Sequence, residues 1–342
     1  MQAGRRYTFF QTVKWTRKAI LIFIILDTVP VLLYHYLDLK WVAMPWQPLA
    51  LIGIAVAFYL GFKNNSSYER LWEARKIWGG IVNGSRTFTV MVRDFINNDH
   101  AITKRNESEL NSIRKKIVHR HIAWLYALSL QLRKVMPWEH SGSEDRKFRK
   151  FFGLEITEES FDQLKPYLSG DEFNYIAGKG NRASHILSIQ SSEFKELRQA
   201  GLIEDFRHME LANMIKEFYT LQGKSERIKN FPFPRQYAST NFIFVCIFLL
   251  LLPFGMLSVF AGMADGSFFW LAVPFSVLAS WVFWMMEAIG EYSENPFEGS
   301  YNDVPISTIA RSIEIDIRQM LDEPNESLPK PLEPMGEHRI LS

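Results

Sequence analysis

The sequence predicts an all-α membrane protein: four membrane-crossing helices with a large helical water-facing region. Three observations carry this. Two apolar blocks, near residues 19–62 and 237–290, flank a charged stretch, 63–236, whose apolar residues recur at three- and four-residue intervals. Each block divides in two at a short link. Positive charge gathers before the first block and is nearly absent from the links, which orients an even number of spans. The mean hydropathy of −0.08 averages over these two unlike materials and hides both.

The first span is 19–37, AILIFIILDTVPVLLYHYL. Nineteen helical residues rise about 28 Å, close to the hydrocarbon thickness of about 30 Å. Pro30 is a candidate kink. Asp27 is an ionisable group at membrane depth, which belongs either in a permeation path or against protein or an interface. The second span is 41–62, with Trp41 and Trp46 suited to an interfacial belt and Pro45 and Pro48 early, where a helix tolerates them. Residues 63–98 continue it into water, with Tyr68, Leu71, Trp72, Arg75, Trp78 and Gly79 at helical spacing. A long helix follows over 105–135, with Ile113, Ile117, His121, Trp124, Leu125 and Leu128 on one broad face. His119 and His121, two apart, point different ways and make a poor metal pair. Shorter helices are expected near 157–168, 183–199 and 202–222. FPFPRQ at 231–236 stops helical structure. The third and fourth spans are 237–260 and 267–289, an amphipathic helix follows, and 323–342 is a Pro-containing tail.

Arg5, Arg6, Lys14, Arg17 and Lys18 precede the first span, the 38–46 link carries only Lys40, and the 261–266 link carries no positive charge. Both termini and the region 63–236 are therefore expected in the cytosol. The N-terminus lacks a small-residue cleavage site, so the first apolar run reads as retained. The net charge of +2 comes from basic residues interleaved with acids, which argues against a nucleic-acid partner. The single cysteine, Cys246, permits neither an intrachain disulfide nor a cysteine-based metal site.

The stretch Ala50–Gly80 organises the rest. Ile54, Phe58 and Phe62 recur every four residues and form one helical stripe; Gly53, Ala57 and Gly61 form a second, one position earlier. Small-xxx-small spacing lets membrane helices approach closely. A bulky apolar stripe beside a small-residue stripe suits a pore-lining helix, and equally an ordinary membrane helix with a packing face. Catalytic machinery is not legible. H-E-x-x-H, nucleophile-elbow and dinucleotide patterns are missing, and GKGN at 178–181 lacks phosphate-loop spacing. Glu287, Glu291 and Glu294 cluster at the end of the fourth span, where the expected role is pairing with the Arg and Lys of 69–76. The chain does not read as an enzyme and implies no cofactor or metal.

Three separated segments carry a resemblance: GFKNNSSYERLWEARKIWG at 61–79, SERIKNFPFP at 225–234, and ENPFEGSYNDVP with IEIDIRQMLDE at 294–305 and 313–323. In these the chain resembles the bestrophin family, in its bacterial branch, from about residue 12 to 322, as a single channel domain. The resemblance implies a homopentamer around an axial ion pathway in a lipid bilayer, here the bacterial inner membrane, conducting small monovalent ions. The second span would line a hydrophobic neck at Ile54, Phe58 and Phe62. GLIED at 201–205 would place a second, cytosolic aperture at Phe206. The small stripe Gly53, Ala57, Gly61 is then expected to pack against the neighbouring subunit. Animal members clasp Ca²⁺ with an acidic run after N-P-F; here EGSYND offers only Glu298 and Asp303, too few oxygens for that ion. Family members include chloride channels and cation-preferring bacterial relatives, and a neck of Ile and Phe has no charge with which to choose. Two alternatives use the same spans: a non-conducting membrane-anchored helical scaffold, and a secondary transporter, for which Asp27 with Pro30 is the one hint.

Overall fold

The structure, a computed structural model, describes residues 7–139, 160–263, 268–335 and 340–341. Among these residues it is helical, apart from an isolated antiparallel bridge between Met335 and Ile340. The helices are α1 (Phe9–Tyr36), α2 (Trp46–Phe95), α3 (Glu107–Arg133), α4 (Gly170–Ala177), α5 (Arg182–Gln199), α6 (Asp205–Asn230), α7 (Arg235–Ala261), α8 (Ala272–Tyr292) and α9 (Ile306–Gln319), with short 3₁₀ turns between some of them. The helix expected near 157–168 is a 3₁₀ segment over Phe161–Tyr167; residues 157–159 lie outside the described residues.

Several helix starts are set by local chemistry. Thr8, Asn106 and Ser169 each cap a helix through the side chain and donate their own backbone N–H to the side chains of Gln11, Glu109 and Glu172, satisfying backbone donors that the first turn leaves open. Pro30 lies inside α1 without ending it. α2 contains 50 residues, a rise of about 75 Å, far more than a bilayer requires.

The chain divides into two compact units. The first holds Gly4–Arg70 and Pro232–Glu294, and contains α1, the first half of α2, α7 and α8. α1, α2, α7 and α8 are long and apolar enough to cross a membrane, by length and composition. Leu49, Val56 and Leu60 of α2 pack on Val245, Phe248 and Leu252 of α7. Val31 of α1, Leu257 of α7 and Ala272 of α8 form a smaller cluster. Leu21, Ile22, Ile25, Leu250, Phe275 and Leu278 point outward, an apolar exterior that suits hydrocarbon and not water.

The second unit comprises chiefly Leu71–Phe231 and Asn295–Ser342. Its centre is α3, packed by α5, α6, α9 and the Phe161–Tyr167 segment. The sequence pattern shows one apolar face on α3, but from Ile117 to Ser129 the helix is covered on nearly every side. The polar positions on the other faces are buried with partners. Arg120, fully buried, donates to Glu172, Glu193 and Gln190. Trp124 donates to Gln222 at 3.0 Å.

Candidate functional site: the α2 stripe and the buried lock beside it

α2 presents two faces. Gly53, Val56, Leu60, Lys63 and Ser67 are all buried, at alternating spacings of three and four residues. This stripe continues along the helix through Ala74, Ile81, Ser85, Phe88, Val92 and, just beyond α2, Ile96, where it serves the second unit's core. The other face carries Ile54, Phe58 and Phe62, which are 68%, 65% and 59% exposed on the single chain. The Phe58 and Phe62 rings meet edge to face, centroids 4.5 Å apart. The structure therefore brings the three bulky residues into one outward apolar row, backed by a helix face packed on α7. Tyr68 and Trp72, further along, are exposed as well.

Of the small-residue stripe, Gly53 faces the interior of its own chain. That residue is buried within its own subunit, and a Cβ there would come 2.9 Å from the Phe248 ring of α7. The missing side chain admits an aromatic ring of the same chain. Ala57 is half-buried, and Gly61 is exposed with open space around it.

One residue past Phe62, Lys63 turns inward. Its ammonium group bonds the carboxylate of Glu287 on α8, and Asn241 of α7 donates to the other oxygen of that carboxylate. Lys63, Asn241 and Glu287 are 5%, 1% and 3% exposed, so three helices are joined by a desolvated polar lock. Gly290, one turn beyond Glu287, is required by closeness: a Cβ would lie 2.3 Å from the Asn64 side-chain oxygen. Two acids of the cluster have partners outside 69–76. Glu287 takes Lys63, and Glu294 takes Arg235 at 3.3 Å. Residues 69–76 begin about two turns beyond Lys63 on α2; Glu73 there receives Arg227 at 2.6 Å. Sequence reasoning missed Lys63 because a lysine at the end of an apolar run reads as solvated. The signal was its register, since it falls on the same three-four stripe as Val56 and Leu60.

Phe206 is in the second unit, in the first turn of α6, and is 76% exposed. Asp205 beside it bonds Arg198 at 2.6 Å, and the preceding turn uses Gly201 at φ +74°, packed against the His100 carbonyl. His121 is buried among Phe88, Trp124 and Phe218, with its Nε2 2.8 Å from Ser85 Oγ. Burial pushes its pKa down to about 3, so it stays neutral. His119 meets Glu323 instead, at 2.6 Å. Asp303 accepts from the Ser300 and Gly299 amides, at 2.9 and 2.5 Å, and lies 3.7 Å from Arg133. Glu298 accepts from Asn295 at 3.3 Å. Burial, with Glu298 close by, pushes the Asp303 carboxyl up. Among the described residues, no group of three or more His, Cys, Asp or Glu side chains is placed to hold a metal ion.

Comparison with known proteins agrees with this architecture. A family model described as bacterial/fungal bestrophin protein matches residues 13–319. The voltage-dependent anion channel-forming protein YneE of Escherichia coli K12 is 26% identical over 291 residues, covering 85% of this chain and 80% of that protein. The similarly described protein RSc3414 of Ralstonia nicotianae is 27% identical over 291 residues, covering 85% and 82%. The crystal structure of a bacterial bestrophin homologue from Klebsiella pneumoniae superposes with a TM-score of 0.72 at 24% identity, over 89% of this chain and 98% of that one.

Proposed function

Because the chain belongs to the bacterial and fungal bestrophin family, we propose that it is a subunit of a passive ion channel whose neck is lined by Ile54, Phe58 and Phe62. The observation that carries this is the outward row on α2. Three bulky apolar residues stand on one face of a membrane-length helix, while its other face is used for packing within the subunit. Copies of that row arranged about an axis, five by the family resemblance, make a hydrophobic constriction that resists wetting and opens by widening. Exposed Gly61 and half-buried Ala57 are then the positions at which neighbouring α2 helices approach. Phe206, exposed at a helix start, forms a second ring on the cytosolic side. The charge distribution of the N-terminus and links supports cytosolic termini in a bacterial inner membrane.

The conducted ion is a small monovalent one. Relatives named as anion channel-forming support an anion. The neck itself exerts no charge preference, so the sign is set by charges elsewhere along the pathway. Planar bilayer recording of the purified protein under a KCl gradient tests both points. Current whose reversal potential lies on the chloride side is expected. Phe58→Ala with Phe62→Ala widens and wets the neck and raises conductance several-fold. Unchanged currents in the double variant refute the neck assignment, and the absence of any current from well-assembled protein refutes the channel.

A further inference from the structure

α1 and α8 meet inside the first unit along a seam of small and polar residues. α1 buries Thr16, Ala19, Phe23, Asp27, Pro30 and Val31; α8 contributes Ala272, Ser276 and Ser280, a small-xxx-small row. Asp27 is 1% exposed, and both serines are fully buried. Ser280 Oγ donates to Asp27 Oδ2 at 3.3 Å, a long bond. The other carboxylate oxygen, Oδ1, has no hydrogen-bond partner, and neither has the Ser276 hydroxyl one turn away on the same face. No Lys, Arg or His among the described residues balances Asp27. A carboxylate without a counter-charge, inside a helix bundle of membrane depth, is a large electrostatic debt.

We propose that Asp27, Ser276 and Ser280 form a binding site for a small alkali-metal cation of Na⁺ size. One carboxylate balances one positive charge. A divalent ion would leave a net charge in an apolar seam. Carboxylate and hydroxyl oxygens are hard ligands, and a bound cation engages Oδ1 and the Ser276 oxygen together, the two atoms otherwise left without partners. The site joins α1 to α8 and uses no residue of the α2 row, so it stands or falls independently of the neck.

The test is a titration of the purified, assembled protein in detergent, with NaCl replacing choline chloride at constant ionic strength. Thermal midpoint and tryptophan fluorescence report binding; Trp281 donates to Thr16 at 3.0 Å across the same seam. A saturable rise with Na⁺ is expected. Asp27→Asn should abolish it, and Ser276→Ala should weaken apparent affinity roughly tenfold, the loss of one oxygen facing a charge. Sodium-NMR line broadening gives a second readout on the unmodified protein. If Asp27→Asn does not assemble, the Ser276→Ala/Ser280→Ala pair carries the test. A wild-type protein without a saturable Na⁺ response, as a permanently protonated carboxyl would give, overturns the proposal. So does a response that survives Asp27→Asn, and K⁺ acting as strongly as Na⁺ overturns the assignment of size.

Discussion

Lys63→Met tests the lock beside the stripe most directly. Lys63 and Glu287 side chains are each 4% exposed, so neither charge has water to fall back on when its partner is removed. Truncating one member of such a pair costs about 3–5 kcal/mol, because the remaining charge stays buried without compensation. Asn241 continues to donate to Glu287, which places the expected cost near the lower end, about 3 kcal/mol. For a chain of this size, with an unfolding entropy of about 0.7 kcal/mol/K, that corresponds to a fall in thermal midpoint of roughly 4 °C. The assay is thermal unfolding of the detergent-solubilised protein, followed by the loss of the assembled species on gel filtration. Lys63→Met/Glu287→Leu replaces the pair with apolar groups of similar bulk and should recover most of the loss. A single variant within about 2 °C of wild type, or a double variant no better than the single, refutes the view that a desolvated pair holds these helices.

Gly53→Leu should destabilise by about 1–3 kcal/mol through overpacking against Phe248, more than the gain of about 1 kcal/mol in helix propensity; Phe248→Ala in the same chain should relieve it, measured by thermal midpoint. His121 gives an acid limb: its folded pKa of about 3 lies below its unfolded value of about 6.5, so only the unfolded chain takes up a proton between them. Stability contributed by this group is fully present above about pH 6.5 and falls by about 1.4 kcal/mol per pH unit below it. His121→Phe should flatten that limb in a series of thermal midpoints from pH 7 to about pH 4. Glu314, fully buried, accepts from Tyr126 at 2.5 Å, Tyr167 at 2.6 Å and Arg318 at 3.1 Å. Glu314→Gln should cost about 3 kcal/mol, read by the same midpoint, since it removes the charge on which α3, α9 and the Phe161–Tyr167 segment converge.

The helices themselves were legible because each obeys a periodicity that the backbone imposes. The α3 expectation of 105–135 against Glu107–Arg133 shows how well apolar spacing and a Pro stop define an element. Partners of buried polar groups were not legible. Arg120, Glu287 and Lys63 look like surface charges in the sequence, because burial of a charge depends on a counter-charge that arrives from far along the chain. Lys63 and Glu287 are 224 residues apart. The Phe248 ring against Gly53 was not legible for a related reason: small-residue spacing shows that something approaches closely, but not what it is.

The lock has a consequence for the stripe. Hydrophobic packing of Val56 and Leu60 on α7 is non-directional, and by itself it leaves α2 free to rotate by small amounts. Rotation matters because successive residues are about 100° apart, so even a fraction of one residue's turn swings Phe58 and Phe62 away from the proposed pore axis. Gly53 against the Phe248 ring and Lys63 against Glu287 and Asn241 are directional contacts, one steric and one electrostatic. They are ten residues apart, about 15 Å along the helix, and bracket the segment that carries Ile54, Phe58 and Phe62. A helix held at both ends of that segment keeps its outward row in one orientation. Lys63→Met should then change not only stability but also the orientation of the adjacent Phe62, whereas a variant further along α2, such as one at Glu73, should leave it in place.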